Sequence, residues 1–93
     1  MQKQNPLFGL GVVIKTMGVV RLFENQRPQL LSELLDRHVH LEDDSCQHDR
    51  QENINAVEHG NRVFSVFKLS IGKVYVVTEY DRSQTTVLLP SEY

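Results

Sequence analysis

Four side chains that commonly bind metals stand close together in the middle of the chain. His38, His40, Cys46 and His48 lie within eleven residues, and imidazole and thiolate are the usual ligands of zinc. Their spacing matches no standard zinc module, and a solvated acidic loop flanked by histidines explains the same residues. A zinc-binding regulator is therefore kept as an alternative hypothesis.

Three consecutive acidic residues, Glu42, Asp43 and Asp44, lie between these histidines. The surrounding stretch from Val39 to Ser45 is typical of a loop. Acidic surfaces of small proteins can bind basic surfaces of a partner by matching charge. We therefore predict that these three residues contact a protein partner.

A second group of polar residues, Asp81, Arg82 and Ser83, forms a predicted turn between two strands. Arginine is favoured in binding sites because its planar fork donates several hydrogen bonds at once. Since a turn that only reverses the chain does not need these three residues, they are predicted to contact the partner as well. The simpler interpretation is an exposed arginine paired with Asp81.

Catalytic motifs are not found in the sequence. Glu79 and Asp81 could hold a divalent cation, but neither a lysine nor a third acid accompanies them at a recognisable spacing. Gly9 and Gly11 lack the third glycine of a dinucleotide-binding fingerprint. We therefore expect no enzyme activity and no cofactor.

Size and charge restrict the function further. The chain has 93 residues and a formal charge of −2, with ten Lys and Arg against twelve Asp and Glu. A chain this short forms one domain with a modest core, so a partner or a homodimer would help to stabilise it. The absence of a basic block makes nucleic-acid binding an alternative rather than the leading hypothesis.

The sequence also predicts where the protein is found. Its one cysteine, Cys46, cannot form an internal disulfide, as is usual in a reducing cytoplasm. The apolar run from Leu7 to Val20 is interrupted by glycines and a lysine and is too short to span a bilayer. We expect a cytoplasmic protein with a flexible tail over residues 1–6 and one domain over residues 7–93.

Three helices are predicted before the strands. Thr16 can cap a short first helix, and Pro28 can begin a second, since proline tolerates the first turn. A third would follow Asp44, which with Gln47 resembles a capping box, and would end at Gly60, a good left-handed cap. The apolar stripe of this third helix is thin, so it should pack weakly or cover a sheet edge.

The C-terminal third alternates between apolar and polar residues with a period of two, which is typical of strands. Turns at residues 70–73 and 81–84 divide it into a three-stranded antiparallel meander that ends at Pro90. Leu7 to Ile14 is predicted to be a strand buried on both sides, and to join the meander. The predicted fold class is α+β: a three- to four-stranded antiparallel sheet with two or three helices on one face.

Several segments together carry a family resemblance: Leu10-Gly11, Arg37-His38-Val39, Arg50-Gln51-Glu52-Asn53, the stretch from Gly60 to Ser65, Thr78-Glu79, Asp81-Arg82-Ser83, Thr85 to Pro90, and Glu92-Tyr93. Through them the chain resembles a family of small proteins of bacterial plasmids and integrative elements. Members are usually labelled only as plasmid-related proteins, and some as a subunit of a type I restriction system. The resemblance implies a mobile-element accessory protein.

One segment departs from the family. Relatives have a segment similar to Gly-Asp-Trp-Gly-Asp after the Arg-His-Val element, whereas this chain reads His40-Leu-Glu-Asp-Asp-Ser45 and has no Trp. If the Trp segment belongs to the family's binding surface, this chain binds a different target or binds more weakly. A DNA methyltransferase needs a nucleotide-binding domain much longer than this chain, so restriction chemistry is not expected.

The leading hypothesis is a non-catalytic protein–protein interaction module of a plasmid or integrative element. Its partner would be a host or element-encoded protein, such as a protein of host defence or replication. A nucleic-acid-associated accessory protein, acting through cationic strand residues, is the first alternative. The second is the zinc-binding regulator.

Overall fold

The computed structural model describes residues 5–93, so most of the predicted tail lies outside the described residues. None of the described helices is long and apolar enough to cross a membrane. The elements are β1 (Val12–Lys15), α1 (Met17–Leu22), α2 (Leu30–Val39), α3 (Gln47–His59), β2 (Val63–Leu69), β3 (Gly72–Thr78), β4 (Gln84–Leu88) and a 3₁₀ turn (Pro90–Glu92).

The four strands form one mixed sheet in the order β1-β4-β3-β2. Strands β2, β3 and β4 are antiparallel neighbours, as the meander predicted. Strand β1 runs parallel to β4, with Val13 opposite Thr85, so the sheet is not wholly antiparallel. A parallel pair needs a long crossover, and here that connection contains all three helices and the β2–β3 hairpin. The predicted α+β class, with four strands and three helices, is confirmed.

The prediction of a buried strand from Leu7 to Ile14 is wrong in both extent and burial. The strand begins only at Val12, and all four of its residues are exposed. Gly11 ends the irregular segment before it with a φ of 65°, which favours glycine. A Cβ atom at Gly11 would lie 2.2 Å from the backbone oxygen of Ser83, so only glycine fits between the segment and the turn.

One face of the sheet carries the core. Ser65, Val76 and Val87 stand side by side on neighbouring strands and are fully buried. Val19 of α1 and Leu34 of α2 pack against this face. Every second residue of the strands faces this side, and each of these two helices presents one apolar stripe to it. The helices cover this side because the two apolar surfaces pack together.

The opposite face carries an aromatic cluster. Phe64 and Tyr75 lie on neighbouring strands with ring centroids 4.8 Å apart, and the Tyr93 ring is 5.1 Å from Phe64. The 3₁₀ turn brings Tyr93 to this face. The aromatic residues of the strands therefore fill a second, smaller packing layer rather than lining a cleft.

The helix ends follow the predicted signals in part. Thr16 Oγ1 accepts the Val19 N–H at 3.3 Å, and Gly60 ends α3 with a φ of 69°, so both caps are confirmed. Helix α2 begins at Leu30, two residues after Pro28. The capping box predicted after Asp44 is wrong, since α3 begins after Cys46 without a side-chain cap.

The C-terminus supports the first helix. Glu92 Oε1 accepts the Thr16 hydroxyl at 2.6 Å, and Oε2 accepts the Gly18 N–H at 3.3 Å. Hydrogen bonds from Thr16 and from the Leu89 N–H lower the pKa of the Glu92 carboxyl. A carboxylate at a helix N-terminus is stabilising, so Glu92 supports the junction between β1 and α1.

Candidate functional site

The acidic loop closes one edge of the sheet. Strand β2 is an outer strand, and Asp43 Oδ2 accepts the N–H of Val66 at 2.8 Å. The backbone N–H of Asp44 donates to the Val66 carbonyl at 2.8 Å, and Asp44 Oδ2 accepts the N–H of Lys68 at 2.9 Å. Backbone groups that would otherwise face solvent are thus bonded by the loop.

Helix α3 continues this closure towards the start of β2. Asn53 is buried, and its amide donates to the Phe64 carbonyl at 2.7 Å while its oxygen accepts the Phe64 N–H at 3.0 Å. Of the two alternatives predicted for the third helix, weak packing or covering an edge, the structure shows the second. Three successive outward-facing residues of β2 are bonded by side chains or loop backbone, which blocks pairing with another strand.

These bonds assign roles to the acidic residues. Asp43 is only 4% exposed and also accepts the hydroxyl of Ser45, while Arg37 pairs with Asp44 at 3.2 Å. The Asp43 and Asp44 carboxylates therefore support the sheet edge. Glu42 is exposed, and its contact with a partner stays a prediction.

The Asp81–Ser83 turn also supports the fold. Asp81 Oδ1 accepts the Ser83 N–H at 3.0 Å, and bonds from Ser83 lower the pKa of the Asp81 carboxyl. Arg82 has a φ of 60° and donates to the carbonyls of Ala56, at 3.1 Å, and Asn61. The guanidinium thus binds the C-terminal end of α3, where a cation is favoured.

The argument that this turn has no structural need for its three residues is therefore wrong. Besides the α3 contacts, the Arg82 guanidinium lies 5.3 Å from the ring centroid of Phe8. Asp81 and Ser83 are exposed beside it, so a partner contact at these two residues stays a prediction.

A polar network that sequence reasoning missed runs through the core. The ring nitrogens of His38 lie 2.6 Å from Ser65 Oγ and 2.8 Å from Thr78 Oγ1. Thr78 Oγ1 lies 2.7 Å from Thr85 Oγ1, which donates to the Leu10 carbonyl at 2.7 Å. The network joins α2, three strands and the N-terminal segment. Ser65, Thr78 and Thr85 each occupy a buried position. Hydroxyl side chains at these positions are the feature of the sequence that could have indicated the network.

The predicted zinc ligands do not converge. Burial, and then the charge of Arg82, lower the pKa of His38 to about 3, and both its nitrogens are used in the core. His40 bonds a carbonyl one turn earlier in its own helix, Cys46 is exposed, and the His48 side chain is 81% exposed. Within residues 5–93, no three His, Cys, Asp or Glu side chains are grouped to hold a metal.

The remaining charged residues in and beside the strands serve separate contacts. Glu79 pairs with Arg62 at 3.3 Å, and Asp81 is held in its own turn, so these two carboxylates serve different contacts. Lys68 and Lys73 stand opposite each other on β2 and β3. This lysine pair is the feature that supports the nucleic-acid alternative.

The other edge of the sheet, formed by β1, is built differently. The N–H groups of Val12 and Thr16 donate to carbonyls of Ser83 and Val87 at 3.0 and 3.1 Å. Successive residues of a strand turn their backbone groups to opposite sides. The N–H and C=O groups of Val13 and Lys15 therefore face away from β4, and no described strand lies beyond them.

Apolar side chains surround this edge. Of the nine large hydrophobic residues that are exposed in the described part of the chain, five lie within residues 12–20, in β1 and α1. The exposed fractions are 67% for Val12, 37% for Val13, 40% for Ile14, 64% for Met17 and 42% for Val20. We name these five side chains, with the outward backbone of Val13 and Lys15, the β1 edge.

Sequence reasoning missed the β1 edge because an apolar run with glycines is equally typical of a buried strand.

Comparison with known proteins adds no assignment, since no family model, no curated protein and no solved structure matches this chain. The resemblance to plasmid-related proteins therefore stays a prediction.

Proposed function

We propose that this protein is a non-catalytic interaction module that binds a protein partner by strand addition at the β1 edge. The single observation that supports this is the difference between the two edges of one sheet. Strand β2 is closed by Asp43, Asp44 and Asn53. The β1 edge has outward backbone groups and exposed apolar side chains.

Strand addition combines two kinds of contact. Backbone groups of Val13 and Lys15 would bond an extended segment of the partner, which supplies affinity. The side chains of Val12 and Ile14 stand on one face of the sheet and that of Val13 on the other, so each face offers an apolar contact that selects the incoming residues. Short strands and lysines are among the devices that keep natural edges single, and β1 has four residues that include Lys15, so an added strand would pair with it over a short length.

The genetic setting is proposed from the resemblance alone. On that basis the protein belongs to a plasmid or integrative element, and its partner is a host or element-encoded protein, such as one of host defence or replication. Glu42, Asp81 and Ser83 are exposed and are proposed as additional polar contacts of that partner. None of these contacts requires catalytic chemistry.

Affinity capture from host lysate, with and without nuclease, tests this function. Val13→Lys adds a charge at the β1 edge, and Ile54→Lys adds the same charge on α3 at a residue with the same exposed fraction, 37%. We expect a stoichiometric protein partner that survives nuclease, is lost in Val13→Lys and is kept in Ile54→Lys. Partners that disappear with nuclease would instead favour the nucleic-acid alternative, and equal capture by both variants would contradict the proposal.

A further inference from the structure

We infer that the strand that pairs with β1 is β1 of a second copy of this chain, in antiparallel orientation about a two-fold axis at Ile14. This inference rests on the proposed function, since it gives the same edge a second occupant that pairs with β1 while the partner is absent. It is carried by the register of four residues, by the side chains around them and by the closure of the opposite edge.

The register follows from which residues face outward. With the axis at Ile14, Val13 of each copy pairs with Lys15 of the other, so both outward residues of both copies form backbone hydrogen bonds. An axis at Lys15 would place two lysines opposite each other, which is destabilising. An axis at Val13 would pair Lys15 with Gly11, whose φ of 65° departs from strand geometry.

The side chains suit the same arrangement. The axis brings the two Ile14 side chains, each 40% exposed, into contact on one face of the joined sheet. On the other face, Val13 packs beside the aliphatic stem of Lys15 from the second copy, whose charged end still reaches water. Met17 and Val20 are exposed on α1, the helix that follows β1 directly.

Closure of the β2 edge explains why assembly would stop at two copies. The joined sheet would have eight strands, since each copy contributes four. Its outer edges would both be β2, where Asp43, Asp44 and Asn53 bond the outward backbone. A two-fold pair that uses the same edge of each copy is closed, whereas two open edges per chain would permit a fibre.

The contact between the two copies would be small. A stable complex of standard size buries about 800 Å² per partner. A four-residue strand and a six-residue helix offer less than this. We therefore expect a weak, reversible dimer, which a partner's strand could displace.

Sedimentation equilibrium of the wild-type chain and of two variants that carry opposite charges at residue 13 tests the inference. In the proposed register, residue 13 of each copy lies opposite Lys15 of the other. Val13→Glu therefore creates two pairs of opposite charge, whereas Val13→Lys creates two pairs of like charge. We expect Val13→Lys to raise the dissociation constant at least about tenfold, equivalent to about 1.4 kcal/mol. Val13→Glu should dimerise at least as tightly as wild type in low salt and lose that gain in high salt, and Ile54→Lys should not change the constant.

The outcomes separate the two proposals. A wild-type protein that stays monomeric into the millimolar range, or a dimer that Val13→Lys leaves unchanged, overturns the second copy as occupant. Equal weakening by Val13→Lys and Val13→Glu overturns the register. If in those cases Val13→Lys still loses a captured partner, the proposed function stands without the dimer. Circular dichroism of each variant shows whether it remains folded.

Discussion

Asp43 and Val66 are 23 residues apart, yet the Asp43 carboxylate accepts the Val66 N–H at 2.8 Å and so closes the outer edge of β2. Its other oxygen, Oδ1, is buried and has no hydrogen-bond partner among the described residues. Burying a carboxylate in this position is costly, and its hydrogen bond to the Val66 N–H offsets part of that cost. The acidic loop is therefore part of the sheet, and the opposite edge is the one left open.

Replacement of Asp43 should destabilise the fold. We expect Asp43→Ala to lower the free energy of unfolding by about 2 kcal/mol, because the part-buried Val66 N–H loses a charged acceptor. Asp43→Asn keeps one acceptor oxygen and should cost less. Urea denaturation followed by circular dichroism measures both variants, and a neutral Asp43→Ala would contradict the structural role.

Arg82 should behave as a structural residue. Arg82→Ala removes donors from three carbonyls, those of Ala56, Asn61 and Glu79. It should therefore lower the free energy of unfolding by about 2 kcal/mol. Arg82→Lys should recover only part of this, since an ammonium lacks the planar fork. Arg21→Ala, at an exposed arginine in the last turn of α1, is the control. Full stability of Arg82→Ala with loss of partner capture would restore the view that Arg82 is mainly a binding residue.

Stability should fall on the acid side because of His38. Its pKa is about 3 in the folded protein, compared with an ordinary 6.5. Between these values the unfolded chain takes up the proton, so the contribution of His38 is complete above pH 6.5 and is lost as the pH falls. The free energy of unfolding should drop by on the order of 1 kcal/mol per pH unit in this range.

His38→Gln isolates this contribution from those of Asp81 and Glu92, whose lowered pKa values also make the fold sensitive to acid. The slope between pH 6.5 and pH 4 should become shallower in His38→Gln and stay unchanged in His48→Gln, whose side chain is exposed. Equal slopes in wild type and His38→Gln, measured by urea denaturation at each pH, would show that His38 titrates normally.

Two glycines with similar backbone angles should differ in their tolerance of alanine. Gly60 has a φ of 69° and nothing within 4 Å of an added Cβ, so Gly60→Ala should cost about 1 kcal/mol from backbone strain. Gly11→Ala should cost clearly more, since its Cβ would collide with the backbone of Ser83. Thermal unfolding of the two variants makes the comparison. A Gly11→Ala variant as stable as Gly60→Ala would mean that the N-terminal segment does not cross this turn closely.

The sequence predicted local features better than long-range ones. The meander, the Thr16 cap and the Gly60 cap depend on neighbouring residues and are confirmed. The placement of β1 was wrong because burial of an apolar strand depends on which elements lie beside it. Pairing of β1 with β4 joins residues about seventy positions apart, and no local pattern encodes that contact.

The candidate site shows the same difference between local and long-range features. The sequence identified the acidic loop and the Asp81–Ser83 turn as unusual, but it could not distinguish residues that bind a partner from residues that bind the chain's own backbone. Asp44 was assigned to a helix cap and instead bonds Lys68 on a strand formed later in the chain. When a side chain bonds a sheet edge that is distant in the chain, the sequence shows only a polar residue in a loop.

Amide hydrogen exchange, resolved by residue in dilute full-length protein, tests the central claim that one edge is closed and the other open. The Val66 and Lys68 amides should be protected although they face outward from β2, since carboxylates accept them. The Val13 and Lys15 amides should exchange rapidly and become protected as concentration rises or a captured partner is added. Equal protection of both edges in the dilute protein, or Val13 and Lys15 amides that remain unprotected in the complex, would contradict the account.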